Sequence, residues 1–210
     1  EVLSQYRKNP TESKRLEAFV ELQQVLKIAP AQRAEDEGRK REQLSLFRYQ
    51  LALLFYEDKR YHEAIALGEL LTKDSAYDPV RKRAAILTLA TWQALSGQKN
   101  PDWSDDAVTH MGDTASFIMR RWPRDQCSVD AAAVSLDVAV RNGSFQAIEA
   151  VIQDLAQSSP RRDEVLLRAG LSMWHLYQNS TNGQTGEISL PRRECFQRAI
   201  RALDEGLLGI

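Results

Sequence analysis

The chain has 210 residues, of which 43% are hydrophobic and 27% are charged, a composition typical of a folded protein and not of a disordered one. Its 28 basic and 29 acidic side chains nearly cancel, so no global field draws the chain toward nucleic acid or anionic lipid. Apolar runs such as residues 51–55 are far shorter than the roughly 18 residues of a membrane span, so the sequence predicts neither a nucleic-acid partner nor membrane insertion.

The two cysteines are widely separated, and neither belongs to a CxxC motif or a Cys/His cluster. This argues against a metal site and a disulfide framework, so we expect Cys127 and Cys195 to be small buried apolar side chains. The chain begins at Glu1 without a methionine or a signal-peptide pattern, and we expect it to be a piece of a longer polypeptide. Either the bacterial periplasm or the cytoplasm is compatible with a chain that has no predicted disulfide.

Apolar residues recur at steps of three and four between the prolines and glycines, which is the period of helices. The sequence has no sustained alternation of apolar and polar residues of the kind that strands show. It therefore predicts an all-α fold of antiparallel helix pairs joined by short turns. In chain order, the predicted helices span residues 11–28, 31–57, 61–73, 79–96, 104–122, 127–141, 144–157, 160–178 and 191–208.

Several helix starts have local signals. Asp78 and Ser159 each precede a proline, which predicts that they cap helices whose first position the proline occupies. Ser104 precedes two aspartates that suit a helix N-terminus, and it is predicted to cap the helix of residues 104–122. Three arginine pairs also lie near helix ends, where solvated surface charge and a phosphate-binding rim are both open interpretations. These pairs are residues 120–121, 161–162 and 192–193.

Two segments of the chain repeat one pattern, the first within residues 58–79 and the second within residues 141–160. In each, an aromatic residue is followed by apolar or small residues at steps of three, four and three, which makes one stripe along a helix. The stripe residues are Tyr61, Ala64, Gly68 and Leu71 in the first segment and Phe145, Ile148, Ile152 and Leu155 in the second.

These residues resemble the tetratricopeptide repeat (TPR), a helix–turn–helix unit of about 34 residues. The resemblance covers most of the chain, with Gly68 in place of a usual large residue, and the prolines between units are spaced more widely than the family repeat. Irregular members of the family, including those of the bacterial cell envelope, are similar in this respect, and a helical solenoid outside the family is the alternative. The matching residues are Ala18, Leu22 and Pro30 in a first unit, Leu51, Ala52, Phe55, Tyr61 and Ala64 in a second, Gly143, Phe145, Ile148, Ile152, Leu155 and Pro160 in a third, and Leu166, Ala169, Gly170 and Met173 in a fourth.

The resemblance implies a right-handed α-solenoid, a single repeat domain over residues 1–210, whose concave groove is lined by the first helix of each pair. Aromatic and arginine anchors in such a groove bind peptides, so the predicted function is a scaffold that binds a peptide or a partner domain. For Tyr56 and Trp174, packing against adjacent helices is the competing interpretation. The predicted groove residues are Tyr49, Leu53 and Tyr56 from the second unit, Asp137 and Arg141 from the third, and Trp174 and His175 from the fourth.

Two long polar loops are also predicted, at residues 96–105, with Trp103 as a contact residue, and at residues 178–189. Catalytic motifs are missing from the sequence, and the three histidines are scattered, so we expect neither an enzyme nor a cofactor. Two other functions stay open. One is a structural spacer or assembly module of a larger envelope protein, and the other is a ligand-binding helical domain with a pocket around His110, Trp122 and His175.

Overall fold

A computed structural model describes residues 12–28, 37–75, 77–98, 101–155, 157, 159–181 and 192–208. Over these residues the chain is all-α, with nine helices and no strands, which confirms the all-α part of the predicted fold class. The helix ends agree with the predicted ones to within a few residues, apart from α2, which is preceded by residues outside the described ranges. The helices are α1 (Glu12–Ile28), α2 (Glu37–Glu57), α3 (Tyr61–Asp74), α4 (Asp78–Ser96), α5 (Pro101–Arg121), α6 (Gln126–Arg141), α7 (Phe145–Asp154), α8 (Arg162–Thr181) and α9 (Arg192–Leu208).

The helices form two compact units, Glu1–Gln98 with α1 to α4 and Lys99–Ile210 with α5 to α9. The single repeat domain over residues 1–210 stays a prediction. Among the described helices, none combines the length and the apolar character needed to cross a bilayer.

The first unit is held together by apolar contacts among consecutive helices, and α2 also contacts α4. Phe55 of α2 meets Phe19 of α1 edge to face, with ring centroids 5.1 Å apart. Each large apolar side chain that is fully buried stabilises the fold by about 1.5–3 kcal/mol. The buried cluster at the centre of this unit consists of Ala18, Leu22, Leu51, Leu54, Phe55 and Ala64, and a second cluster consists of Leu71, Val80 and Ala84.

Gly68 allows α3 and α4 to approach closely. A Cβ atom at Gly68 would lie 2.2 Å from Oγ1 of Thr88, a distance that real structures do not tolerate. Thr88 is 1% exposed, and its hydroxyl donates to the carbonyl of Ala84 at 2.8 Å, so it is held in place. The glycine therefore replaces a large residue at this repeat position because Thr88 occupies the space.

The second unit contains contacts between neighbouring helices and also between alternate ones, α5 with α7 and α6 with α8. Both cysteines are buried, Cys127 at 7% and Cys195 at 0% exposure, which confirms the sequence prediction for them. Burial raises the pKa of the Cys195 thiol above its ordinary value, as expected for an unreactive cysteine. The core of this unit includes Met111, Ile118, Met119, Leu136, Ile148, Val151, Leu166, Met173, Leu176 and Ala199.

Two glycines bring α8 and α9 together. A Cβ atom at Gly170 would lie 2.7 Å from Cγ of Leu203, and one at Gly206 would lie 2.7 Å from Cγ of Leu167. The missing side chain of each glycine thus leaves room for a leucine side chain of the facing helix. This pair of helices is consequently packed backbone against side chain along its length.

The turns between α2 and α3 and between α6 and α7 have the same backbone conformation. Lys59 and Gly143, each two residues before the next helix, have φ angles of 60° and 62°. In both turns, the amide after this residue donates back five residues, from Arg60 to Phe55 at 2.9 Å and from Ser144 to Ala139 at 2.9 Å. The repeated sequence pattern therefore corresponds to a repeated turn.

All three predicted caps, Asp78, Ser104 and Ser159, are wrong. Helix α4 begins at Asp78 itself with Tyr77 before it, and α5 begins at Pro101, so Ser104 lies inside its first turn. Proline suits the first position of a helix, and Pro101 is the start signal that the sequence interpretation overlooked.

The third cap, Ser159, makes a different contact. Its hydroxyl donates to the carbonyl of Pro123 at 2.6 Å instead of capping α8. The helix begins after Arg161, which has a φ of 53° and whose Nε donates to Oε1 of Glu164 at 2.7 Å. This ion pair within the first turn accounts for an arginine at a helix start.

Candidate functional site

Three predicted groove residues, Tyr49, Leu53 and Tyr56, belong to the first compact unit, residues 1–98. They lie on one side of α2, at steps of four and three, and all three are half-buried. Tyr49 packs against the cluster of Leu71, Val80 and Ala84. Tyr56 packs against the central cluster, and its ring lies 5.9 Å from that of Tyr61. These contacts favour the packing interpretation for much of each side chain and leave the rest accessible.

Asp137 connects α6 to α8. Nη2 of Arg168 donates to both carboxylate oxygens of Asp137, at 2.8 and 3.0 Å. Both side chains are at least half exposed, at 50% and 60%, so the pair contributes no more than about 1 kcal/mol. Its importance is geometric, because it shows that the exposed sides of α6 and α8 adjoin.

Three further residues extend this exposed surface. Arg141 follows Asp137 by one turn of α6, is exposed, and has no ion-pair partner among the described residues. On α8, Leu171 and His175 follow Arg168 by one and two turns, and Leu171 is 59% exposed. The imidazole Nδ1 of His175 lies 3.2 Å from the side-chain amide of Asn179. We call Asp137, Arg141, Arg168, Leu171 and His175 the α6–α8 face.

Trp174 lies apart from this face, although it is next to His175 in sequence. Its indole stacks on Tyr177 with centroids 5.5 Å apart and lies 5.8 Å from the ring of Phe196 on α9. The Tyr177 and Phe196 rings are 5.9 Å apart, so the three aromatic side chains form one cluster between α8 and α9. Trp174 is therefore half-buried against α9.

The loop predictions have different outcomes. Trp103 lies in the first turn of α5, so the loop predicted at residues 96–105 is wrong over its second half. The side chain of Trp103 lies outside the described part of the chain. Helix α8 continues to Thr181, and the rest of the loop predicted at residues 178–189 also lies outside the described residues.

A cleft of about 460 Å³ opens between α7 and α9, over α8. Its floor is apolar, and Arg198 at one end pairs with both Glu149 of α7 and Glu194 of α9. The hydrogen bond to Glu149, and to a smaller extent the one to Glu194, raises the pKa of the Arg198 guanidinium above its ordinary value. The lining residues are Glu149, Ile152, Gln153, Leu166, Met173, Glu194, Gln197, Arg198, Arg201, Ala202 and Glu205.

Sequence reasoning missed this cleft and predicted a different pocket. None of the residues proposed for that pocket, His110, Trp122 and His175, lines the cleft. Trp122 instead packs edge to face on Phe117, with centroids 5.7 Å apart, and His110 and His175 are exposed. The helical period could have indicated the cleft, because Glu194, Arg198 and Glu205 recur on one side of α9 between the buried stripe and the solvent.

Comparisons with models of protein families, with curated proteins and with solved structures find no match to this chain.

Proposed function

We propose that this protein is an interaction scaffold of TPR-like helix pairs, stacked as a right-handed α-solenoid, that binds a peptide or a partner domain on the exposed side of the first helix of each pair. The observation that supports the stack is the contact between alternate helices. In the first unit α2 packs on α4, and in the second α6 packs on α8 and α5 on α7. Such contacts make each helix pair bury the apolar side of the next, as repeat proteins do.

The repeated turn is a second support. The α2–α3 and α6–α7 hairpins have a left-handed residue at the same position and share the same backbone hydrogen bonds, although most of their side chains differ. A chain that repeats one supersecondary unit with diverged side chains is typical of a repeat array.

The α6–α8 face is the proposed contact surface of the second unit. It combines an exposed leucine, an arginine that has no ion-pair partner within the described ranges, and an ion pair that links the exposed sides of the two helices. Arginine is among the residues that carry much of the binding free energy at interfaces. Covering the exposed leucine adds the favourable removal of apolar area from water. In the first compact unit, residues 1–98, the corresponding contacts are the accessible parts of Tyr49, Leu53 and Tyr56. Trp174 lies apart from the α6–α8 face and is not part of this proposed surface.

The test is capture of a partner by the full chain from a lysate of its source organism, identification by mass spectrometry, and measurement of affinity with both proteins purified. Leu171→Asp removes the apolar contact and places a carboxylate there, so the affinity is expected to fall about tenfold or more. Arg141→Glu is expected to weaken binding as well, by about fivefold.

The matched control is Leu207→Asp. Leu207 is a leucine of the same unit with a similar exposure, 63% against 59% for Leu171, but it lies on α9 and outside the α6–α8 face. We expect its affinity to remain within about twofold of the unmodified chain. Equal affinities of the Leu171→Asp and Leu207→Asp variants, or a chain that captures no specific protein, would contradict the proposal.

A further inference from the structure

We propose that the α7–α9 cleft binds an extended peptide segment in which a large aliphatic side chain is flanked, two residues away on either side, by lysine or arginine. This site is separate from the α6–α8 face. Leu166 in the cleft and His175 on the face are nine residues apart on α8, which places them on opposite sides of that helix. Binding in the cleft therefore does not depend on binding at the face.

The floor of the cleft specifies the aliphatic side chain. Leu166, Met173 and Ala202 are 4%, 1% and 5% exposed, and Ile152 of α7 forms an adjacent wall. Because these three side chains are already almost fully buried, the apolar area that binding removes from water is mainly that of the peptide side chain and of Ile152. The volume of about 460 Å³ is within the range of roughly 300–1,000 Å³ found for ligand sites, so the cleft has room for several peptide residues.

The charges at its two ends specify the flanking cations. Glu149 and Glu194 share the single guanidinium of Arg198, which leaves one negative charge uncompensated at that end. At the other end Glu205 is exposed and has no ion-pair partner among the described residues. Arg201, between them in sequence, also lines the cleft, so three carboxylates and two guanidinium groups leave the cleft with a net negative charge and with carboxylates at both ends. A ligand with a cation at each end complements this arrangement.

The spacing suits an extended chain. Glu194 and Glu205 are eleven residues apart on α9, which is about 16 Å along a helix. In an extended peptide, the side chains two residues before and after a central residue are about 13 Å apart, and flexible lysine side chains reach the remainder. Gln153 and Gln197, on the two walls, each offer an amide that donates to and accepts from a peptide backbone.

The experiment uses the full chain and the fluorescein-labelled peptide acetyl-Lys-Ala-Leu-Ala-Lys-amide, with binding followed by fluorescence anisotropy at about 50 mM salt, where exposed charges are weakly screened. We expect saturable binding that weakens about tenfold when serine replaces the central leucine of the peptide. Glu205→Lys reverses the charge at one end and is expected to weaken binding about fivefold.

Asp204→Lys is the matched control, because it makes the same change of charge at an exposed neighbouring residue that does not line the cleft. Its effect is expected to stay within about twofold. Equal effects of the two lysine variants would overturn the proposal, because they would show attraction to the overall charge alone. Absence of saturable binding up to about 1 mM peptide, a very weak affinity, would overturn it as well. The Leu171→Asp variant is expected to bind this peptide normally, so failure at one site is distinguishable from failure at the other.

Discussion

The α2–α3 and α6–α7 hairpins turn through the same backbone conformation, but they use different side chains to do so and meet different neighbours. At the left-handed position, Lys59 in the first corresponds to Gly143 in the second. At the helix start, Arg60 pairs with Glu63 at 2.6 Å, whereas the Ser144 hydroxyl accepts from the amide of Ala147 at 3.1 Å. The two turns therefore share one backbone conformation, and each hairpin stabilises it by its own local contacts.

The third stripe position differs more. Gly68 is buried under Thr88 of α4, while the equivalent Ile152 is half-buried and lines the α7–α9 cleft. A position whose residue depends on the neighbouring helix can hold a glycine in one repeat and an isoleucine in another. This difference explains why the two similar segments share three apolar or aromatic stripe positions but differ in size at the remaining one, where Gly68 corresponds to Ile152.

The largest expected effect is that of Gly68→Ala, which is expected to lower the free energy of unfolding by about 1–3 kcal/mol because the added methyl group overlaps Thr88. Urea denaturation followed by circular dichroism measures this loss. Adding Thr88→Ala removes the overlapping hydroxyl, so the double variant is expected to be more stable than the sum of the single effects. Strict additivity of the two changes would show that the two residues are not in conflict.

The next largest expected effects on stability are those of substitutions at the two residues with a positive φ, Gly143 and Lys59. Gly143→Ala is expected to destabilise the chain by about 1 kcal/mol, because a side chain is strained at a positive φ. Lys59→Gly relieves that strain in the first hairpin but makes the unfolded chain more flexible, so a gain of only about 0.5 kcal/mol is expected. Thermal unfolding of both variants tests this, and a loss of stability in Lys59→Gly would mean that the two turns are not equivalent.

Removal of the serine cap measures how much Ser144 contributes to the stability of the second hairpin. Ser144→Ala leaves the amide of Ala147 without its acceptor and is expected to cost about 1 kcal/mol. Ser172→Ala makes the same chemical change in the interior of α8, where alanine favours the helix, and is expected to cost nothing. Chemical denaturation of the two variants side by side provides the test, and equal stabilities would count against the cap.

The smallest effect concerns pH. The hydrogen bond from Arg60 lowers the pKa of Glu63 below its usual value of 4.5. Because the folded pKa is the lower one, the stabilisation is present above the unfolded value and is lost as the pH falls through the folded value. Arg60→Ala is expected to return the pKa of Glu63 toward 4.5, as measured by a carboxyl NMR titration. An unchanged titration would mean that the ion pair does not persist in solution.

The sequence predicted the helices because their signals are local. The helical period, the prolines and the glycines are recognised within a few residues. The start of α5, which the prediction places three residues too late, has its own local signal in Pro101. The all-α character followed from these same signals, whereas the shared conformation of the two turns became visible only in the structure.

The surfaces were less predictable because they depend on pairs distant in sequence. Arg168 reaches Asp137 across 31 residues, and Arg198 reaches Glu149 across 49. Neither pair has a local pattern, and an exposed leucine such as Leu171 follows the same period as a buried one. Only the packing of the helices shows which charged side chains meet and which apolar side chains remain uncovered.

The most direct test of the proposed scaffold is photo-crosslinking, with a benzophenone amino acid placed at position 171 in one preparation and at position 207 in another. If the exposed side of the first helices binds the partner, the label at position 171 is expected to crosslink a specific protein, and the label at position 207 is expected to give little product. Equal crosslinking from both positions, or crosslinking from position 207 alone, would contradict a binding surface on the α6–α8 face.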